Sequence, residues 1–194
     1  MKNPKIKKMA TIALLIAMIV VLQFIGSMIP PIGGVFSISL VLIPIVMGAG
    51  LYGPSAGAIL GAAFGVMVAI NCATGADPGG QMVFQSSAIM CIIVVLSKGI
   101  LAGISAGVVY KMLSGMNGYI AMLCAAITCP VVNTGVFLIC MNTFFKDVLT
   151  VWADGKDIFV YMISGIVLCN FVPELIINIV FSPAGQRILK TVNQ

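Results

Sequence analysis

The sequence predicts an all-α integral membrane protein, a six-transmembrane-helix bundle with both termini cytoplasmic, forming a single membrane domain over residues 1–194. Three observations predict it. Hydrophobic residues make up 61% of the chain and charged residues 8%, and the mean hydropathy is +1.19; an ordinary soluble domain carries about 25% charged residues. The apolar residues are gathered into runs long enough to cross a hydrocarbon core, which takes about 20 residues of helix. The basic residues, finally, collect where an even number of crossings puts them on one side of the membrane.

The first helix is expected over 9–29. Lys2, Lys5, Lys7 and Lys8 precede it, as they would a cleaved signal peptide. The apolar run is longer than the 7–15 residues of a signal core, and further apolar segments follow, so it reads as an uncleaved helix. Ala13 and Ala17 form a small-xxx-small pair, either a surface on which a partner helix docks or packing within the bundle. Pro30, Pro31, Gly33 and Gly34 then break the chain. A second helix is expected over 35–51, and the tight turn at Tyr52, Gly53 and Pro54 returns a third, over 55–71, antiparallel beside it. Gly57, Gly61 and Gly65 give the third helix a close-packing ridge.

Residues 72–82 are polar and turn-rich, too long for a simple turn, and read as a lid. The fourth helix, over 85–113, carries a second ridge at Gly99, Gly103 and Gly107. The fifth, over 118–141, is interrupted by Pro130, with Asn133 a turn beyond, where freed carbonyls need donors; a helix-to-helix hydrogen bond is its other reading. A second long loop over 142–157 carries Trp152, which reads as an interfacial anchor or as a ring that stacks on a ligand. In the sixth helix, over 158–181, Asn170, Glu174 and Asn178 recur every four residues and share one inward face.

With six crossings, Lys2, Lys5, Lys7, Lys8, Lys111, Arg187 and Lys190 fall on one side, and Lys146 and Lys156 lie opposite with Asp77, Asp147, Asp154 and Asp157. The positive-inside rule makes the first side cytoplasmic. Loops there are short, so a lidded cavity opens outward, across a cell membrane. The net charge of +5 therefore reads as topology, and nucleic acid is not an expected partner. Of six cysteines, five lie in apolar runs without Cys-x-x-Cys spacing and read as packing residues. Cys72, at a helix end, has no obvious partner. With no histidine and five acids in all, neither a metal, a cofactor nor an acid–base catalyst is expected.

Lys98 stands nearly alone in the middle of the fourth helix. A midplane lysine costs on the order of 3 kcal/mol on insertion scales and so faces protein or a wet cavity. Counting turns from the helix ends places Lys98, Asn133 and Asn170 at similar depth, with Glu174 about a turn nearer the cytoplasm. Two readings follow: Lys98 and Glu174 neutralise one another, or Lys98 points at an anionic ligand. The candidate substrate-binding set is Lys98, Asn133, Asn170, Glu174, Trp152 and Gln85.

The segments GGVFSISLVLIPIVMGAGLYGPSAGAILGAAFG, SKGILAGISAGVVYK, PVVNTGVF and NFVPELIINIV together resemble the substrate-binding S component of energy-coupling factor (ECF) vitamin transporters, over nearly the whole chain. The resemblance implies a six-helix protein that captures a water-soluble vitamin from outside beneath loops 1, 3 and 5. It implies as partners a transmembrane coupling subunit and two ATPase subunits, with Ala13 and Ala17 matching the family's AxxxA docking surface. Within the family the chain is more similar to the pantothenate and folate type than to the riboflavin type, whose acidic helix-2 signature is replaced here by serine. Many relatives carry Pro-Arg where this chain has Ser97-Lys98. A carboxylate-bearing vitamin suits the lysine, pantothenate first and folate second. A self-sufficient secondary transporter or channel for a small polar solute is the alternative, against which stand the small helix number, the lack of an inverted repeat and the single intramembrane acid Glu174. The absence of a phosphate-binding glycine-rich loop agrees with energy supplied by partners.

Overall fold

A computed structural model describes residues 4–28 and 40–193, and every described element is helical. The elements are α1 (Pro4–Met28), α2 (Leu42–Tyr52), α3 (Pro54–Thr74), α4 (Pro78–Ser86), α5 (Ala88–Leu113), α6 (Gly118–Phe144), α7 (Lys146–Ala153), α8 (Ile158–Tyr161), a π-helical stretch Met162–Phe171, and α9 (Val172–Asn193). Five helical stretches are long and apolar enough to cross a membrane: Lys5–Met28, Pro54–Thr74, Ala88–Leu113, Gly118–Phe144 and Ile158–Val192. Their outer faces carry bare aliphatic side chains such as Leu14, Ile89 and Val180. A shell of that kind needs lipid as its solvent, and the protein is a multi-pass membrane protein.

The bounds differ from the sequence expectation where capping chemistry overrides hydropathy. Proline at the first helical position, where no N–H is needed, starts α3 at Pro54. The left-handed Gly75 (φ 79°) ends α3 later than expected. Within the expected lid, Asp77 caps a helix whose first residue is Pro78, its carboxylate accepting from the Gly80 N–H at 3.1 Å. The expected helix over 85–113 is therefore two, broken at the extended Ser87, and Gln85 belongs to α4. The loop over 142–157 likewise contains α7. The last helix runs past 181 because Pro183 is accommodated inside it. The expected second helix is described only as the 11-residue α2; the expected chain break at Pro30, Pro31, Gly33 and Gly34 lies outside the described residues.

The architecture is built on α3 and α5, which run antiparallel in backbone contact. A Cβ on Gly57 would overlap the Gly103 carbonyl, and one on Gly61 the Gly99 carbonyl; the converse additions collide as well. Gly65 lies against the backbone of Val95 and Leu96, and Gly107 against Pro54. The two ridges read from the sequence are thus halves of one seam, the close approach that small residues permit where lipid removes most of the hydrophobic drive. Beyond Gly65 the larger Val68 and Cys72 face Val94 and Cys91, and a cavity begins there. At the opposite end both termini meet: the Lys7 ammonium donates to the Val192 carbonyl. Lys8 sits over Tyr52 and Lys190 over Tyr119, 5.7 and 4.6 Å from the ring centroids, an arrangement typical of an interface belt.

Candidate functional site

The cavity lies at the end of the bundle away from the termini. It holds about 50 Å3 of free volume and is partly open to solvent. Five segments wall it: α3 with Val68 and Cys72, the Asp77 cap and α4 with Gly80 and Val83, α5 with Cys91 and Lys98, α6 with Asn133, Thr134 and Phe137, and the π-helical stretch with Asn170. That is well below the roughly 300–1,000 Å3 of an ordinary small-molecule site, so a ligand enters only as the walls part. A larger groove between α1, α2 and α9 is lined almost wholly by aliphatic side chains such as Leu14, Met18, Ile43 and Ile188. It offers almost nothing to a water-soluble solute, so the smaller, polar cavity is the candidate site.

Each polar group is placed by a local feature of the chain. Lys98 is the eleventh residue of α5, about 15 Å along the helix at 1.5 Å per residue. Its ammonium lies 4.8 Å from the centroid of the Phe137 ring and 5.7 Å from that of Phe64, so aromatic faces stand in for some of the lost hydration. Pro130 cannot donate to the carbonyl one turn back, and this interrupted part of α6 presents Asn133 one turn later. Asn170 comes from the π-helical stretch, where the Cys169 thiol reaches back five residues to the Ser164 carbonyl at 3.2 Å. The wider turn re-aims side chains relative to an α-helix, a device common at functional sites. Among the described residues, the buried Oδ1 atoms of Asn133 and Asn170 have no hydrogen-bond donor. Two unmet acceptors in one cavity with a cation have the capacity to accept from hydroxyl or amide N–H groups.

Asp77 supplies the opposite charge. Burial pushes its carboxyl above the usual carboxylate range, against the pull of the Gly80 N–H and of the Lys98 ammonium. The site is therefore bipolar: Lys98 at mid-depth, Asp77 at the lid. The Cys72 and Cys91 side chains line the same cavity. Among the described residues no group of three or more His, Cys, Asp or Glu side chains is arranged to hold a metal.

Of the candidate residues, Lys98, Asn133 and Asn170 come together in this cavity, and Gln85, Trp152 and Glu174 are not among its lining residues. Gln85 is exposed on α4. Trp152 is buried on α7, and its indole N–H donates to the Met82 sulfur at 3.3 Å, pinning α7 to the helix that covers the cavity. Glu174 is buried a turn below Asn170. It belongs to a seam of polar residues on one face, Asn170, Glu174, Asn178, Ser182 and Gln186, that ends where the Tyr110 hydroxyl donates to Gln186 at 3.0 Å. Ala13 and Ala17 are exposed on α1. Sequence reasoning missed Asp77, Cys72 and Cys91. The Asp-Pro pair was a legible cap signal, and pairing the two glycine ridges antiparallel would have set Cys72 against the first turn of α5.

The family described as ECF transporter, substrate-specific component matches residues 7–184. No curated protein and no solved structure matches the chain. A family match over nearly all of a chain with several apolar crossings and a polar cavity at one end is decisive: the chain belongs to the family of ECF transporter substrate-specific components.

Proposed function

We propose that this protein is the substrate-binding membrane subunit of an ATP-driven ECF importer for a water-soluble vitamin bearing a carboxylate, pantothenate before folate. Lys98 receives the carboxylate, and Asn133 and Asn170 accept from the ligand's hydroxyl or amide groups. The observation that carries the reading is the meeting of the Lys98 ammonium with two donor-less amide oxygens in one cavity. A single cation and a compact cavity favour pantothenate, with one carboxylate, two hydroxyls and an amide, over the larger dicarboxylate folate. Glu174, Trp152 and Gln85 act indirectly in this reading, as the anchor of the polar seam, the strut behind the lid and part of the lid's outer face.

The six-crossing topology completes the proposal, with α2 contributing to the sixth crossing, both termini cytoplasmic and the cavity outward in the cell membrane. The adjacency of the termini and the lysine–tyrosine pairs at their end support it. The partners are the transmembrane coupling subunit, which docks on the Ala13 and Ala17 face of α1, and two ATPase subunits. The test is mass spectrometry of the small molecule retained through gentle purification, followed by calorimetry with pantothenate and folate. Retention of a carboxylate vitamin is expected. A retained cation or apolar molecule would overturn the assignment, and uptake that survives without any ATPase partner would favour a self-sufficient transporter.

A further inference from the structure

We infer that Cys72 and Cys91 are a redox-modifiable dithiol in the cavity wall, whose disulfide shuts the ligand site. Cys72 stands near the C-terminal end of α3 and Cys91 in the first turn of α5. Both side chains line the cavity, and the antiparallel seam, with Gly65 against Val95 and Leu96, brings the last turns of α3 beside the first turn of α5. The chain between them carries α4, and the Cys72 sulfur lies directly against the backbone of Gly80 on that helix. No other pair among the six cysteines is arranged so: Cys124, Cys129, Cys140 and Cys169 are distributed along α6 and the π-helical stretch.

The oxidant we assign is a low-molecular-weight disulfide, small enough to enter from the cavity mouth. The Cys91 thiolate attacks one of its sulfurs; that S–S bond breaks, one small thiolate leaves, and a mixed disulfide remains. The Cys72 thiolate then attacks the Cys91 sulfur and expels the second small thiolate. In sum, the pair loses two electrons and two protons, and the small disulfide becomes two thiols. The Lys98 ammonium lines the same cavity as both sulfurs, and a nearby cation assists thiolate attack. Once formed, the bond holds the two sulfurs at about 2.05 Å. The end of α3 and the start of α5 are pulled together, Gly80 and α4 with them, across the space beside Lys98. The thiol chemistry stands by itself; the loss of ligand rests on the function proposed above.

The test treats the purified full-length protein in nanodiscs with bis(2-hydroxyethyl) disulfide, a probe smaller than pantothenate, then with dithiothreitol. Peptide mass spectrometry is expected to find a Cys72–Cys91 cross-link, two hydrogens lighter than the reduced peptides, before any other cysteine is modified. Pantothenate affinity, measured by calorimetry, is expected to fall at least tenfold on oxidation and return on reduction. Cys72→Ser and Cys91→Ser, each compared with its own untreated state, are expected to lose that response, and Cys124→Ser to keep it. No cross-link, or one between other cysteines, overturns the inference. A cross-link with unchanged affinity overturns the closure. If the reduced protein binds no pantothenate, the vitamin assignment fails, and the cross-link still decides the thiol chemistry.

Discussion

Replacing Lys98 by glutamine removes the charge and keeps most of the side chain. Two effects act on a bound carboxylate. The ligand loses a charge-assisted hydrogen bond, about 1.5–3 kcal/mol, and it is left beside Asp77 with no cation between them. At an effective dielectric near 20, unit charges 4 Å apart interact by about 4 kcal/mol, so even a more distant Asp77 contributes appreciable repulsion. Against this, glutamine spares the cost of desolvating an ammonium and donates a neutral hydrogen bond. A net loss of about 2–3 kcal/mol is expected, or roughly 30- to 150-fold in affinity at 1.4 kcal/mol per decade. Calorimetry with pantothenate and with its carboxamide separates charge from shape: Lys98→Gln should weaken the first much more than the second. The pH dependence carries a sign of its own. Burial raises the Asp77 carboxyl, so as the pH falls it takes up a proton before the free ligand's acid does. Lowering the pH to just above the usual carboxylate range should therefore restore part of the lost affinity. Unchanged pantothenate binding in Lys98→Gln, or equal losses for acid and carboxamide, would refute the assignment of Lys98.

Asp77→Asn keeps a competent N-cap and removes the negative pole, so pantothenate binding should tighten several-fold in calorimetry; weaker binding would mean that a ligand cation rests on Asp77. Because the folded state binds the Asp77 proton more readily than the unfolded chain, wild-type stability should rise as pH falls through the raised carboxyl toward 3.8, a rise that Asp77→Asn lacks in thermal unfolding at several pH values. Gly61→Ala drives a Cβ into the Gly99 carbonyl and should cost about 1–3 kcal/mol, read as a lower Tm in detergent. Gly135→Ala meets nothing within 4 Å and should gain about 0.5–1 kcal/mol by helix propensity. Ala13→Leu, remote from the cavity, should leave pantothenate binding intact and abolish uptake in a reconstituted complex; loss of both would point to a packing defect.

Hydropathy and the positions of glycine carried most of the fold. Long apolar runs in a chain so poor in charge leave few alternatives, and the ridges at Gly57, Gly61, Gly65 and Gly99, Gly103, Gly107 interlock in the structure as close packing requires. What stayed hidden was tertiary. Helix-counting places Lys98, Asn133 and Asn170 at one depth but says nothing of azimuth, so Glu174, on the right face of its helix, reads as an equal member though it sits below the cavity. Trp152 and Gln85 were plausible by type, yet the amphipathic α7 turns the indole onto Met82 and α4 turns Gln85 outward. Asp77 was misjudged as an ordinary lid residue because a cap donates no hydropathy signal. The Cys72–Cys91 meeting joins residues nineteen apart through a turn that local pattern does not specify.

The glycine seam of α3 and α5 also divides the molecule into a part that holds and a part that yields. Two main chains in mutual contact have no side-chain cushion to compress, so neither can slide or roll without breaking several layers at once. The facing wall is made differently, from a proline-interrupted helix and a π-helical turn whose spare residue can be absorbed or released along the rod. Any breathing that admits a solute, or lets one go, is thereby assigned to the Asn133–Asn170 flank, while the lysine rides on the keel.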